Sequence, residues 1–336
     1  MNPTITRAAA SIATASLMMV APLTAPVFAA PVLVDTVSVG DAPVSVAFSP
    51  NGKYAYVTNA TGDSVSVISV STGQVSGTIP SIDYPYAVAF SPNGKKAYVA
   101  SYAGDTVSVI NVATGVVTDT INVGNEPYSV AFSPKGRYAY VANNADDSVS
   151  VIKVATGVVS DTIDVGHFPR SMAFSPNGRY AYVANTYGDS VSVIAVATGD
   201  VTDTISIVSR HPRSVAFSPN GRKAYVTSIF NNAVSVITVA TGDVTDTITV
   251  GNDPASVAFS PNGKNAYVAN SADDSVSIIR VSTGVVSDTI NVGDLPSWLA
   301  VSPNGKYLYV VNAGDATVSV ITTRSTCGPR SIEFVC

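Results

Sequence analysis

The tetrapeptide Ser-Pro-Asn-Gly, with Lys replacing Asn once, begins at Ser49, Ser91, Ser133, Ser175, Ser218, Ser260 and Ser302. Successive copies lie 42 residues apart, except for 43 between Ser175 and Ser218. Each interval holds four short runs of β pattern, first at residues 44–49, 54–59, 64–70 and 75–79, and none has helical periodicity. Pro50 fixes one φ and Asn51-Gly52 tolerate positive φ, while Ser71-Thr72-Gly73 punctuates the third connection in the same way. Each repeat is therefore predicted to be a four-stranded antiparallel meander. Repeats of about 40 to 45 residues with four strands each are the signature of propeller blades, because a lone meander cannot bury both of its faces.

Calling the strands A to D, with A the Ser-Val-Ala-Phe-Ser run, the D strand recurs at Asp35, Gly77, Asp119, Asp161, Asp203, Asp246 and Asp288. Its first copy precedes the first A strand, and the last repeat stops after strand C near Thr323. The expectation is an all-β, seven-bladed propeller whose last blade is completed by the N-terminal segment 35–40. Such a latch leaves no open sheet edge to aggregate. Charged residues are 12% of the chain against a usual value of about 25%, and 46% are hydrophobic, which suits sheets covered on both faces.

The strand after each turn reads Tyr56-Val57-Thr58-Asn59, varied as Tyr140-Val141-Ala142-Asn143, Tyr182-Val183-Ala184-Asn185 and Tyr267-Val268-Ala269-Asn270. On these residues the chain resembles the YVTN-repeat propeller family, from about Asp35 to Thr323. The resemblance implies an exported, periplasmic or cell-surface scaffold. Related propellers include lactonases and dehydrogenase subunits, so it implies little about chemistry.

Residues 1–29 read as a secretory signal: Arg7, an apolar stretch over 8–20, and Val27-Phe28-Ala29 as the cleavage site. Pro22 and Pro26 interrupt it short of the roughly 20 residues a spanning helix needs, and no second apolar segment would anchor the mature chain. The propeller is assigned to residues 30–325. A tail over 326–336 holds both cysteines, Cys327 and Cys336, which an oxidising compartment would allow to pair. Loss of the leader takes one of 18 basic residues and leaves 23 acids, a net charge of −6, which disfavours polyanions as partners of the whole molecule. No cofactor motif is present, the cysteine spacing resembles no common metal motif, and His167 and His211 on neighbouring loops would need Glu126 or Asp189 to converge as a further ligand before they could hold a metal.

Where the repeat stops repeating, side chains point to function. The D–A and B–C loops share one end of the propeller, around the channel mouth. Eleven of the 16 tyrosines belong to the strand-B pattern and six of the ten phenylalanines to strand A. Apart from Phe28 and Phe334, the off-pattern aromatics are Tyr84, Tyr86, Tyr102, Tyr128, Phe168, Tyr187, Phe230 and Trp298, all in or beside these loops. The residue after the loop proline runs Val44, Tyr86, Tyr128, Arg170, Arg213, Ala255, Ser297 around the ring. His167, Arg210 and His211 sit in the loops of blades four and five, and Glu126 in that of blade three. The expectation is a crescent of aromatic platforms and guanidinium groups over blades two to five, suited to a small anionic or ring-bearing ligand. Loop drift, with Tyr and Arg as amphipathic cover, is the plain alternative.

Three functions fit. The first is a non-catalytic binding module holding an envelope protein or small ligand on this face. The second is a lactonase-like hydrolase in which Glu126, His211, Arg170 and Arg213 polarise a carbonyl and activate water. The third, single-stranded nucleic acid on the aromatic and arginine surface, is opposed by the net charge. The aspartates ending the B–C loops, Asp63, Asp105, Asp147, Asp189 and Asp274, recur too regularly for one site and are assigned to turn stabilisation.

Overall fold

A computed structural model describes residues 31–323. The leader, the cysteine tail and the boundaries drawn for them lie outside the described residues. Within these, twenty-eight strands, numbered in chain order, form seven four-stranded antiparallel sheets. One turn of 3₁₀ helix, Ser271–Asp273, is the single helical element among the described residues.

Blade one is β2 (Pro43–Phe48), β3 (Tyr54–Asn59), β4 (Ser64–Ser69) and β5 (Gln74–Pro80), the A, B, C and D strands in order. Strand A starts at the loop proline and ends before Ser49, one residue earlier at each end than the pattern suggested. Ser49 belongs to the turn because its hydroxyl accepts from the Tyr54 amide at 3.0 Å and donates to Asn51 Oδ1 at 2.8 Å. The other six A strands are β6 (Pro85–Phe90), β10 (Pro127–Phe132), β14 (Pro169–Phe174), β18 (Pro212–Phe217), β22 (Pro254–Phe259) and β26 (Pro296–Val301). Each A strand packs against the A strands on both sides, β26 against β2 included, so the A strands line the axis of a closed ring.

The ring closes through β1 (Val32–Ser38), which pairs with β28 (Thr317–Thr322), the C strand of blade seven. The borrowed strand begins three residues before the expected segment. Between blades, the strand-A phenylalanine meets the strand-B tyrosine of the preceding blade: Tyr56–Phe90, Tyr98–Phe132, Tyr182–Phe217 and Tyr225–Phe259 have ring centroids 4.7 Å apart. Phe48–Tyr309, at the same 4.7 Å, repeats this contact across the closure. Seven apolar clusters result, one at each blade junction.

A second inter-element contact explains a pairing within the repeat. The last strand-B residue is Asn59, Asn143, Asn185, Asn270 or Asn312 in five blades, and its amide lies against a glycine of the facing D–A loop: Gly40, Gly124, Gly166, Gly251 or Gly293. A Cβ on Gly40 would stand 2.6 Å from Asn59 Nδ2. In blades two and five Ile82 and Ser209 replace the glycine, and there Ser101 and Ser228 replace the asparagine. Close approach, not backbone freedom, fixes these glycines.

Candidate functional site

All seven A–B strand pairs slip register between the loop proline and the second residue after it, for example between Pro127 and Ser129. The residue between is thus the extra member of a β-bulge, the device that re-aims one side chain out of a ladder. Val44, Tyr86, Tyr128, Arg170, Arg213, Ala255 and Ser297 occupy these bulges. The post-proline position singled out in the sequence is therefore a structural position with its own geometry.

Six of these seven bulge residues line one cavity of about 190 Å³, which Trp298 and Ala313 also border: Val44, Tyr86, Tyr128, Arg213, Ala255 and Ser297. They come from blades one, two, three, five, six and seven, so the cavity is the mouth of the axial channel. Its space exists because the arc of blades six, seven and one carries small residues where the opposite arc carries Tyr and Arg. That small arc was not legible as a site: Val44, Ala255 and Ser297 stand at the right position, but attention to large polar residues passes over them. At about 190 Å³ the volume falls below the roughly 300 Å³ of ordinary ligand pockets and suits a small molecule.

On the large-residue arc, Tyr86 and Tyr128 meet with centroids 4.2 Å apart and hydroxyl oxygens at 2.9 Å. Tyr102 stands 5.4 Å from Tyr86, and Tyr84 stands 6.0 Å from Tyr102. Burial, and then Tyr128, hold the Tyr86 phenol far above its ordinary pKa; the charges of Arg213 and Arg170 offset this in part. Both guanidinium groups thus act on the same hydroxyl. The Tyr102 phenol is pushed up to about 12 by burial, with Glu126, its hydrogen-bonding neighbour, adding to the effect. Both phenols remain neutral donors at physiological pH.

A second aromatic group follows on blades four and five. Phe168 packs on Tyr187 at 4.7 Å, Tyr187 on His211 at 5.3 Å, and His211 on Phe230 at 4.3 Å, with His167 at 4.9 Å from Phe168. Arg170 joins the two groups, its guanidinium carbon 5.3 Å from the Tyr128 ring centre and 5.9 Å from that of Tyr187. The crescent over blades two to five is continuous. Of the expected site residues, Trp298 on blade seven faces the crescent across the mouth, and Arg210 is exposed and joins neither group.

The charges divide unequally. Arg213 reaches Asp253 at 3.4 Å. Arg170 has no carboxylate within ion-pair distance among the described residues, and its Nε is buried without a hydrogen-bond acceptor. His167 Nδ1 is 2.8 Å from Asp147 Oδ2. His211 Nδ1 lies 3.6 Å from Asp189 Oδ1, close enough for charge attraction but too far for a hydrogen bond, and it too is buried without one. Glu126 stands beside Tyr102, Arg213 lines the cavity, and His211 packs between Tyr187 and Phe230 in the outer aromatic group. Among the described residues no group of three or more His, Cys, Asp or Glu could hold a metal ion.

The B–C loop aspartates bind the next blade. Asp63, Asp105, Asp147, Asp189 and Asp274 accept from the amides of Tyr84, Glu126, Phe168, His211 and Leu295 at 2.8 to 3.0 Å. The donating residues have φ between 43° and 57°, and Ala42 and Asp253 share that conformation in the remaining blades. Left-handed backbone at Glu126 or His211 is therefore a property of the framework and not a mark of catalysis. Thr186 Oγ1 donates to the carbonyl of Pro212 at 2.8 Å and Asn144 Nδ2 to that of Pro169 at 3.4 Å, fixing the bulges that present Arg213 and Arg170.

A family model described as "Lactonase, 7-bladed beta-propeller" matches residues 34–211 and 207–329. The chain belongs to this family. No curated protein matches it in sequence. Among solved structures, this lactonase-family propeller is similar to a chain of Kuenenia stuttgartiensis hydrazine synthase, with a TM-score of 0.79 at 24% identity over 85% of this chain and 96% of that one. At that identity the likeness is one of fold.

Proposed function

We propose that the channel mouth binds a small anionic molecule carrying a ring or a carbonyl, on the face formed by the D–A and B–C loops of an exported, YVTN-type propeller of the cell envelope. The observation that carries this reading is Arg170, a half-buried guanidinium held between two tyrosine rings with a buried Nε and no acceptor. A buried charged donor without a partner costs free energy, which an anionic ligand would recover. Tyr86 and Tyr128 supply phenolic hydroxyls and ring faces, Arg213 a second cation, and the small arc the room. Benzoate should raise the unfolding temperature of the wild-type protein. Arg170→Ala with Arg213→Ala should abolish that rise, and an unchanged response would remove the reading.

Family membership favours a second reading, in which the bound molecule is a lactone and is opened by water. Arg170 and Arg213 would then polarise the ring carbonyl, and Glu126 would take the proton from the attacking water. Turnover of δ-valerolactone, lost in Glu126→Gln while benzoate still stabilises the protein, would establish hydrolysis. Stabilisation without turnover leaves the mouth as a binding site alone.

A further inference from the structure

The two ends of the propeller carry opposite charge. The D–A and B–C loops hold thirteen acids, with Arg170, Arg210 and Arg213 as the only cations in or beside them. The A–B turns and the residue following each hold ten cations and no acid: Lys53, Lys95, Lys96, Lys135, Arg137, Arg179, Arg222, Lys223, Lys264 and Lys306. Every blade contributes at least one. Among the described residues none of the ten has a carboxylate within ion-pair distance, since all three ion pairs lie at the mouth.

The turns are rigid and equivalent. In each blade the amide of the turn glycine donates to the carbonyl of the turn serine at 2.8 Å, as from Gly52 to Ser49 and from Gly305 to Ser302. Seven copies of one turn around one axis set the cations in a flat annulus. Lys135, the single departure from Asn in the turn tetrapeptide, stands with Arg137 and Arg179 around a groove of about 720 Å³ between blades three and four, floored by Tyr138 and Tyr180. The C–D turns share this end and bring Asp200 and Asp243, and the outer-strand aspartates Asp35, Asp119, Asp161, Asp203 and Asp246 lie beside the C–D turn glycines of the next blade, so these acids sit at the rim, outside this annulus.

We propose that the A–B turn annulus docks the propeller on an anionic lipid surface, with the channel mouth facing away from it. The net negative charge does not oppose this. Six-residue strands separate the two ends by about 20 Å, at ~3.3 Å per residue. That exceeds two Debye lengths of about 8 Å at physiological ionic strength, so the acids of the mouth are screened from a surface against the turns. A flat ring matches a planar array of phosphates better than a linear polymer, which would meet only a few of the seven turns. The attachment proposed is peripheral and electrostatic, carried by the ten turn cations.

Co-sedimentation of the purified full chain with vesicles tests this. Binding is expected to phosphatidylglycerol mixed with phosphatidylcholine, not to phosphatidylcholine alone, and to disappear as salt is raised. Each cation near such a surface is worth about fivefold in affinity, so Lys135→Gln with Arg137→Gln and Arg179→Gln should weaken binding by about 100-fold. Arg137→Lys with Arg179→Lys should keep it. Failure to bind phosphatidylglycerol vesicles at low salt, equal binding to neutral vesicles, an unaffected triple variant, or binding to heparin without binding to vesicles would each overturn the proposal.

Discussion

Alanine at Gly40 should disrupt blade one through a single side chain, and serine at Asn59 should repair it. The new Cβ would stand 2.6 Å from Asn59 Nδ2 and 2.7 Å from its Cγ. The amide cannot swing aside freely. Asn59 is fully buried and donates to Ser64 Oγ at 3.1 Å and Ser66 Oγ at 3.0 Å. Overpacking of this kind costs about 1 to 3 kcal/mol, and losing both hydrogen bonds would cost about 2 kcal/mol, so Gly40→Ala should lose about 2 to 3 kcal/mol. Asn59→Ser alone forfeits the two bonds without a clash and should lose about 2 kcal/mol. The double variant matches the sterics of blade five, where Ser209, a residue with a Cβ, stands opposite Ser228, although alanine lacks the hydroxyl that accepts from Ser235 at 3.3 Å there. It should be no less stable than Asn59→Ser, giving a coupling of about 2 kcal/mol. Urea unfolding of the four proteins, followed by circular dichroism and by the fluorescence of Trp298, the one tryptophan, measures it. Additivity within about 0.5 kcal/mol would refute the steric argument.

Three further outcomes follow from the same framework. Burial pushes the strand-B phenols of Tyr140, Tyr182 and Tyr309 up to about 12, with nearby tyrosines and aspartates adding to the shift. The unfolded chain loses these protons near pH 10 and the folded chain does not, so stability should fall steadily between pH 10 and 12 in denaturant titrations while remaining unaffected below. Phe132→Ala, which removes the ring packed 4.7 Å from Tyr98, should cost about 3 kcal/mol in the same assay. Deleting residues 31–39 should bare the edge of β28 and shift the protein to oligomers in light scattering, because an uncovered edge recruits another chain.

Much of the fold was legible because repetition turns weak local signals into strong ones. One Ser-Pro-Asn-Gly is an ambiguous turn, but seven at near-constant spacing fix strand order, direction and which loops share an end. The crescent was legible for the same reason: Tyr86, Tyr128, Arg170 and Arg213 stand at a position that varies from blade to blade inside a frame the seven repeats otherwise keep. The bulge that aims them was not, since the slip at Pro127 and Ser129 is a pairing of two strands and leaves no mark in either alone. Nor was the setting of His211, because one sequence places Glu126 and His211 on the same face without saying that His211 packs against Tyr187 and Phe230. The Gly40 and Asn59 pairing was visible in principle, as blades two and five change both positions together, but only the structure shows that the two residues touch.

The strand that closes the ring is the first made and the last used. On a ribosome, β1 emerges some 280 residues before β28, an interval of roughly 15 to 60 s at ordinary elongation rates. Until then six blades can assemble while the outer strand of the seventh waits without its partner. During that interval the nascent chain carries β1 unpaired, and crowding on a polysome sets it beside the β28 edges of neighbouring chains that are further elongated. Selection for fast synthesis and for fidelity of assembly therefore meet at a single antiparallel pairing.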